Sequence, residues 1–218
     1  MRTAGFLYLI VAVLTSLAGL VNTSIVVPGN ATATATNIKA SMGLYRLGFL
    51  SELLGATAFL LTAVALYRLL AHVNRLVAGT MVIFVAVSVA MQSLNLLNQQ
   101  TALTLASSSD ELTLLFTEMQ HNGYLIAQTY FGLWLLPLAY LVTKSGFFPK
   151  FMGVLLAIGC CGHLTDVFTR FLAPDLGAAI SPFAMTPAAV AEITFIAWLL
   201  LKPRKYLSVT DSPSLTGS

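Results

Sequence analysis

Charge is what this sequence has least of: 11 Lys and Arg and 8 Asp and Glu, 9% of 218 residues, against 57% hydrophobic residues. A soluble domain carries about 25% charged residues, so this scarcity, with a mean hydropathy of +0.86, excludes a water-facing surface over most of the chain. Strand-period alternation is also missing, which argues against an outer-membrane barrel. The two cysteines, Cys160 and Cys161, are adjacent. Neighbouring residues rarely meet disulfide geometry, and no CxxC or Cys/His metal spacing exists. They read as small packing residues beside Gly159 and Gly162. The net charge of +3 is scattered singly rather than massed on one face, so no nucleic-acid partner is implied.

What is present is a series of apolar runs near the roughly 20 residues needed to cross a bilayer's hydrocarbon core. The sequence reads as an all-α, polytopic membrane bundle of six spans, about 4–27, 45–70, 76–98, 123–142, 151–172 and 183–201, in one domain over residues 1–205. The first run, with Arg2 before it and Pro28-Gly29 after it, has a secretory signal peptide as its alternative reading. Residues 206–218, with the run "SVTDSPSLTGS", are polar and rich in small residues, and read as a disordered tail.

Lys and Arg collect in alternate connections, which sets orientation. Arg2, then Arg68 and Arg75, then Lys144 and Lys150, then Lys202, Arg204 and Lys205 mark one side. The other side holds Lys39, then Asp110, Glu111 and Glu118, then Asp175. Both termini are therefore expected in the cytoplasm of a cell-membrane protein whose first partner is the lipid bilayer. The first outer loop reads as partly helical from Ala35, and Asn22-Thr23-Ser24 and Asn30-Ala31-Thr32 fit the glycosylation pattern. No internal repeat is visible, which weakens an inverted-repeat transporter.

The stretches "IVVPGNATATATNIKAS" before "LYRLGFLSELL", "HNGYLIAQTYFGLWLLPLAYLVTKSGFFPKFMGVLL", "GHLTD" and "AEITFIAWLLLK" resemble the domain of unknown function 4386 family, small, mainly bacterial multi-pass membrane proteins. The resemblance runs from about Ala4 to Lys202, and the "KSGFFPKFMGVLL" connection is its most specific part. It implies a fold and a location but no chemistry. Through it the positions to watch are Arg46, His121, Gly123, Asp166 and Glu192, and the residue at His163 is often aromatic in the family pattern.

An ionisable side chain at membrane depth costs about 2.5–3.5 kcal/mol on insertion scales, so such groups face the bundle interior and have partners. With the expected orientation they gather in the outer halves of the spans. Arg46 and Glu52 lie in span two, Gln92, Asn95, Asn98 and Gln99 in span three. Gln120, His121, Asn122, Tyr124 and Gln128 open span four. His163, Asp166 and Arg170 share one face of span five through i,i+3 and i,i+4 spacing, and Glu192 lies near the middle of span six. The spacing predicts an Asp166–Arg170 pair, with a hydrogen bond from His163 to Asp166. The opposite halves contain almost nothing comparable.

The expected site is a pocket in the extracytoplasmic half, lined by Arg46, Glu52, Asn95, His121, Gln128, Asp166, Arg170 and Glu192. It would bind or transport a small polar or amphiphilic ligand, Arg46 and Arg170 holding an anionic group. The alternatives are an intramembrane lipid hydrolase with Zn²⁺ on His and carboxylates, haem ligation by His121 and His163, and a scaffold or accessory subunit without ligand. No H-E-x-x-H or G-x-S-x-G motif is present. The reading carried forward is binding or transport, with the enzyme kept as an alternative, and it needs neither metal nor cofactor.

Overall fold

The structure, a computed structural model, describes residues 1–201. The tail at 206–218 and the cations Lys202, Arg204 and Lys205 lie outside the described residues. Eight helices follow one another: α1 (Arg2–Ile25), α2 (Ala31–Ala40), α3 (Met42–Leu70), α4 (Arg75–Leu105), α5 (Asp110–Leu133), α6 (Leu135–Lys144), α7 (Lys150–Leu172) and α8 (Pro174–Leu201). Six segments are long and apolar enough to cross a membrane: α1, α3, α4, the α5–α6 pair, α7 and α8. The protein is a polytopic membrane helical bundle, and strands are absent among the described residues.

The starts of these helices follow local chemistry. Free N–H groups of a first turn need an acceptor. Asn30 Oδ1 accepts from Ala33 N at 2.9 Å, Asn74 Oδ1 from Leu76 N at 3.0 Å, and Ser109 Oγ from Leu112 N at 3.3 Å. Asp110 and Glu111 sit in the first turn of α5, where the helix dipole favours negative charge. The α5–α6 break at Trp134 has Pro137 as its cause: proline supplies no N–H to the Leu133 carbonyl four residues back and crowds it. Short α2 is pinned to the end of α1, as Asn37 Nδ2 donates to Ile25 O at 3.0 Å and Val27 N to Thr34 Oγ1 at 3.0 Å.

Two helices extend well beyond the apolar runs. The connection between spans three and four shrinks to residues 106–109, because α4 continues to Leu105 and α5 starts at Asp110. Hydropathy falls there, while the residues still suit a helix and Ser109 caps it. Likewise α8 begins at Pro174 and runs through Pro182 and Pro187. Thr186 Oγ1, donating to Pro182 O at 2.6 Å, fits the way membrane helices absorb internal prolines. Residue ranges of α2 also start earlier than expected, at Ala31.

The spans pack as a closed ring in chain order, α1 against α3, α3 against α4, α4 against α5, α6 and α5 against α7, α7 against α8, and α8 back against α1. α1, which the alternative reads as a leader, packs as a full member of this ring. Outward-facing positions are apolar, including Leu20, Leu54, Ile83, Leu94, Phe151 and Phe168, as lipid contact requires.

The inside of the ring divides into two halves. Toward the end holding the N-terminus of α1, the main apolar core joins Tyr8, Phe59, Leu66, Met81, Trp134, Leu138, Leu156 and Phe195. Its aromatics meet edge to face, Tyr8–Trp134 at 5.7 Å and Phe59–Trp134 at 5.0 Å between ring centres, the arrangement their quadrupoles prefer. At the α2 end a small second cluster joins Val21, Ile25, Ile38, Tyr45 and Ala106. The polar residues lie between the two.

In lipid no hydrophobic force drives helices together, so van der Waals contact at small residues carries much of the association. Gly162 meets the carbonyl oxygen of Ala184, and an added Cβ at Gly159 would stand 3.2 Å from Ala188 Cα. Together they let α7 and α8 touch backbone to backbone. Gly162→Val should therefore push the two helices apart and cost about 1–3 kcal/mol, read as a lower unfolding temperature in detergent. Gly79→Ala, where an added Cβ meets nothing, should leave it unchanged. Equal effects would contradict this packing.

Candidate functional site

α1 carries a polar stripe at seven-residue spacing, Tyr8, Thr15 and Asn22, which is one helix face. Tyr8 is 1% exposed, and its hydroxyl donates to Glu192 Oε2 at 2.6 Å. His163 Nε2 meets the other oxygen of Glu192 at 3.2 Å, while Phe131 lies edge-on against the imidazole at 5.3 Å. Gly132 allows this, since an added Cβ would stand 2.7 Å from His163 Cβ. Glu192 thus bridges Tyr8 and His163, a triad joining α1, α8 and α7, in which His163 Nδ1 has no partner among the described residues. His163 answers Glu192, not Asp166 as the spacing alone suggested.

One turn along α7, Asp166 heads a second network. Its Oδ2 accepts from Gln128 Nε2 at 2.9 Å and its Oδ1 from Arg170 Nε at 3.3 Å. Arg170 Nη2 also donates to Ser181 Oγ at 2.9 Å. Asp166 is therefore answered by an amide and a guanidinium, and Arg170 by two acceptors. The expected Asp166–Arg170 pair is present. On α3, Glu52 is 3% exposed. Its Oε2 accepts from Gln120 Nε2 at 3.3 Å, while Oε1 has no partner among the described residues.

These groups border a cavity of about 320 Å³. Its walls come from α1 (Thr15, Ala18, Gly19, Asn22, Thr23), α3 (Glu52), α5 (Gln120, His121, Tyr124, Leu125, Gln128), α7 (Asp166, Arg170) and α8 (Ser181, Met185). A second cavity of about 590 Å³ lies toward the α2 end, reaching Val26, Pro28, Leu114, Thr117, Glu118, Asn122 and Ala178. Asn22, Thr23, Gln120, His121 and Arg170 border both. They lie where the two cavities adjoin, the first being the inner chamber and the second the vestibule.

The Asn and Gln residues of α4 are structural ties. Asn95 Nδ2 donates to Gln120 O at 2.6 Å, and Asn98 Nδ2 to Asn95 Oδ1 at 2.9 Å. Gly123 lies against the Asn95 amide, which fills the space a side chain would take. Ser88 Oγ donates to Ala127 O at 3.2 Å and accepts from Gln92 Nε2 at 3.0 Å. Gln99 Nε2 reaches Asn22 Oδ1 at 3.3 Å. Each bond joins α4 to a neighbour or braces one that does.

Of the eight residues expected at one site, Glu52, His121, Gln128, Asp166 and Arg170 border the inner chamber. Asn95 and Glu192 do not: Asn95 is turned to the α5 backbone, and Glu192 is held in the triad. Arg46 is exposed and borders a separate shallow groove with Tyr45, Phe49, Leu50, Gln99, Gln100 and Leu103. It sits one position from buried Tyr45 on α3, so its side chain leaves the bundle. The contributions of Tyr8, Thr15, Asn22, Ser181 and Met185 were missed. The seven-residue stripe on α1 was the signal available for the first three.

His121 borders the two cavities, whereas His163 is bonded to Glu192. Among the described residues no three of His, Cys, Asp and Glu converge as metal ligands, so the zinc-hydrolase alternative lacks a ligand set there.

Asp166→Asn should leave Arg170 without its carboxylate and lower thermal stability in detergent. Removing Arg170 as well, as Asp166→Asn with Arg170→Met, should recover part of the loss. Direct coupling of the pair predicts a deviation from additivity of about 0.5–3 kcal/mol; strict additivity would exclude it.

Comparison with known sequences places these features. The model of the family described as Domain of unknown function (DUF4386) matches residues 3–202. An uncharacterized protein of Archaeoglobus fulgidus is 30% identical over 151 residues, covering 69% of this chain and 80% of the archaeal one. No solved structure matches. With nearly its whole length matched, from the α1 stripe to the end of α8, the chain belongs to the DUF4386 family.

Proposed function

We propose that this protein binds a small polar or amphiphilic molecule in the inner chamber, as a carrier or receptor in the cell membrane, with both termini cytoplasmic and the α2 end facing outward. The observation that carries the reading is the make-up of the chamber. Most of its wall surface is apolar, while polar side chains from α3, α5 and α7 converge on it, a combination found in ligand sites. The vestibule, sharing five residues with the chamber, supplies an entry from the α2 end or the adjoining leaflet. Neither Arg46 nor Arg170 is free to hold an anionic group there. Arg46 is elsewhere, and Arg170 is engaged by Asp166 and Ser181.

Native mass spectrometry of protein extracted with minimal delipidation tests the binding. A defined added mass should accompany the wild type and disappear in Gly19→Phe. Gly19 borders the chamber, and an added Cβ there meets nothing within 4 Å, so the ring can fill the space without distorting the backbone. Identical spectra for the two proteins would favour the scaffold reading.

Orientation has its own test. In a background with Cys160 and Cys161 replaced by Ala, a cysteine at Ser108 should react with a membrane-impermeant maleimide in intact cells, and one at Ser145 should not. The reverse pattern would invert the proposed entry side.

A further inference from the structure

The formal charges around the chamber do not balance. Glu52 and Asp166 count one negative charge each and Arg170 one positive charge, which leaves a formal surplus of one negative charge. Asp166 and Arg170 cancel within hydrogen-bond distance, 3.3 Å apart, so the surplus resides on Glu52. That side chain is 3% exposed and borders the chamber. No Lys, Arg or His makes an ion pair with it among the described residues. One oxygen is oriented by the neutral amide of Gln120 at 3.3 Å, and the other, Oε1, has no partner.

A carboxylate at membrane depth without a counter-charge is costly, and an incoming cation removes that cost. Tyr124, one helical turn from Gln120, borders the same chamber and offers an aromatic ring of the kind that attracts ammonium groups. We infer that the chamber selects ligands carrying an ammonium centre, held by the Glu52 carboxylate beside Tyr124, with the apolar remainder of the ligand along the walls. This deepens, and rests on, the reading of the chamber as a ligand site. It also reverses the sign of the ligand that the two arginines suggested.

The test uses the full chain in phosphatidylcholine nanodiscs, titrated by calorimetry with three probes sharing one tail, hexylamine, hexanol and hexanoate, with heats from empty discs subtracted. Hexylammonium should bind saturably and at least about tenfold tighter than hexanol, as a charge-assisted contact replaces a neutral one, with hexanoate weakest. Glu52→Gln should bring hexylammonium down to the level of hexanol, and Glu52→Asp should retain the preference for the amine. Equal saturable binding of all three probes, or tightest binding of hexanoate, overturns the ammonium inference and leaves the chamber standing as a ligand site. Absence of saturable binding by any probe overturns both. If Glu52→Gln does not fold, the order of the three probes on the wild type still decides.

Discussion

Hydrocarbon offers no water to a polar side chain, so every such group inside the bundle must be answered by another part of the protein. That constraint orders this molecule. Glu192 is answered by Tyr8 and His163, Asp166 by Gln128 and Arg170, and Asn95 by the carbonyl of Gln120. All these answers come from neighbouring helices or the adjacent turn, so they fix which helices meet and in what rotation. Among the described residues four buried atoms go unanswered, Glu52 Oε1, Gln99 Oε1, Trp134 Nε1 and His163 Nδ1, and of these residues Glu52 alone borders the chamber. That carboxylate is the group on which the proposed ligand reading rests.

Close approach makes those answers reachable. Hydrogen bonds of 2.6–3.3 Å across helices need backbones nearer than large side chains permit. Gly123 brings α5 onto the Asn95 amide, Gly132 brings it onto His163, and Gly159 and Gly162 bring α7 onto α8. Pro137 completes the arrangement by breaking the fourth span at Trp134, which enters the apolar core fully buried. The break separates a polar helix, α5, that borders the chamber from an apolar one, α6, that borders none of it. One half of the ring is thereby closed by aromatics, and the other half stays hollow.

The six spans were legible because hydropathy over about 20 residues is a strong and local signal. The gathering of polar residues in one half was legible for the same reason, since position along a span gives depth. Rotation about each helix axis was harder to read. Arg46 and Glu52 are six residues apart in the same half of α3, yet one leaves the bundle and the other borders the chamber, because six residues turn a helix by about 240°. His163 and Asp166 share a face, but the partner of each is chosen by α8 and α5, which spacing within α7 cannot reveal. Helix ends were obscured where composition turned polar without ceasing to favour a helix, as at Asp110 and Pro174. The α1 stripe was readable and went unread because its three members, Tyr8, Thr15 and Asn22, are weakly polar within a long apolar run.

The central claim is that these polar groups surround a space connected to water at membrane depth, rather than forming separate ties in a packed interior. Power-saturation electron paramagnetic resonance on spin labels along α1 tests it directly. A label at Gly19, on the chamber wall, should be relaxed by a water-soluble nickel chelate, whereas one at Val11, in the apolar core, should not. If the label at Gly19 responded to dissolved oxygen alone, or to neither agent, the chamber would be closed to water and the account would fail.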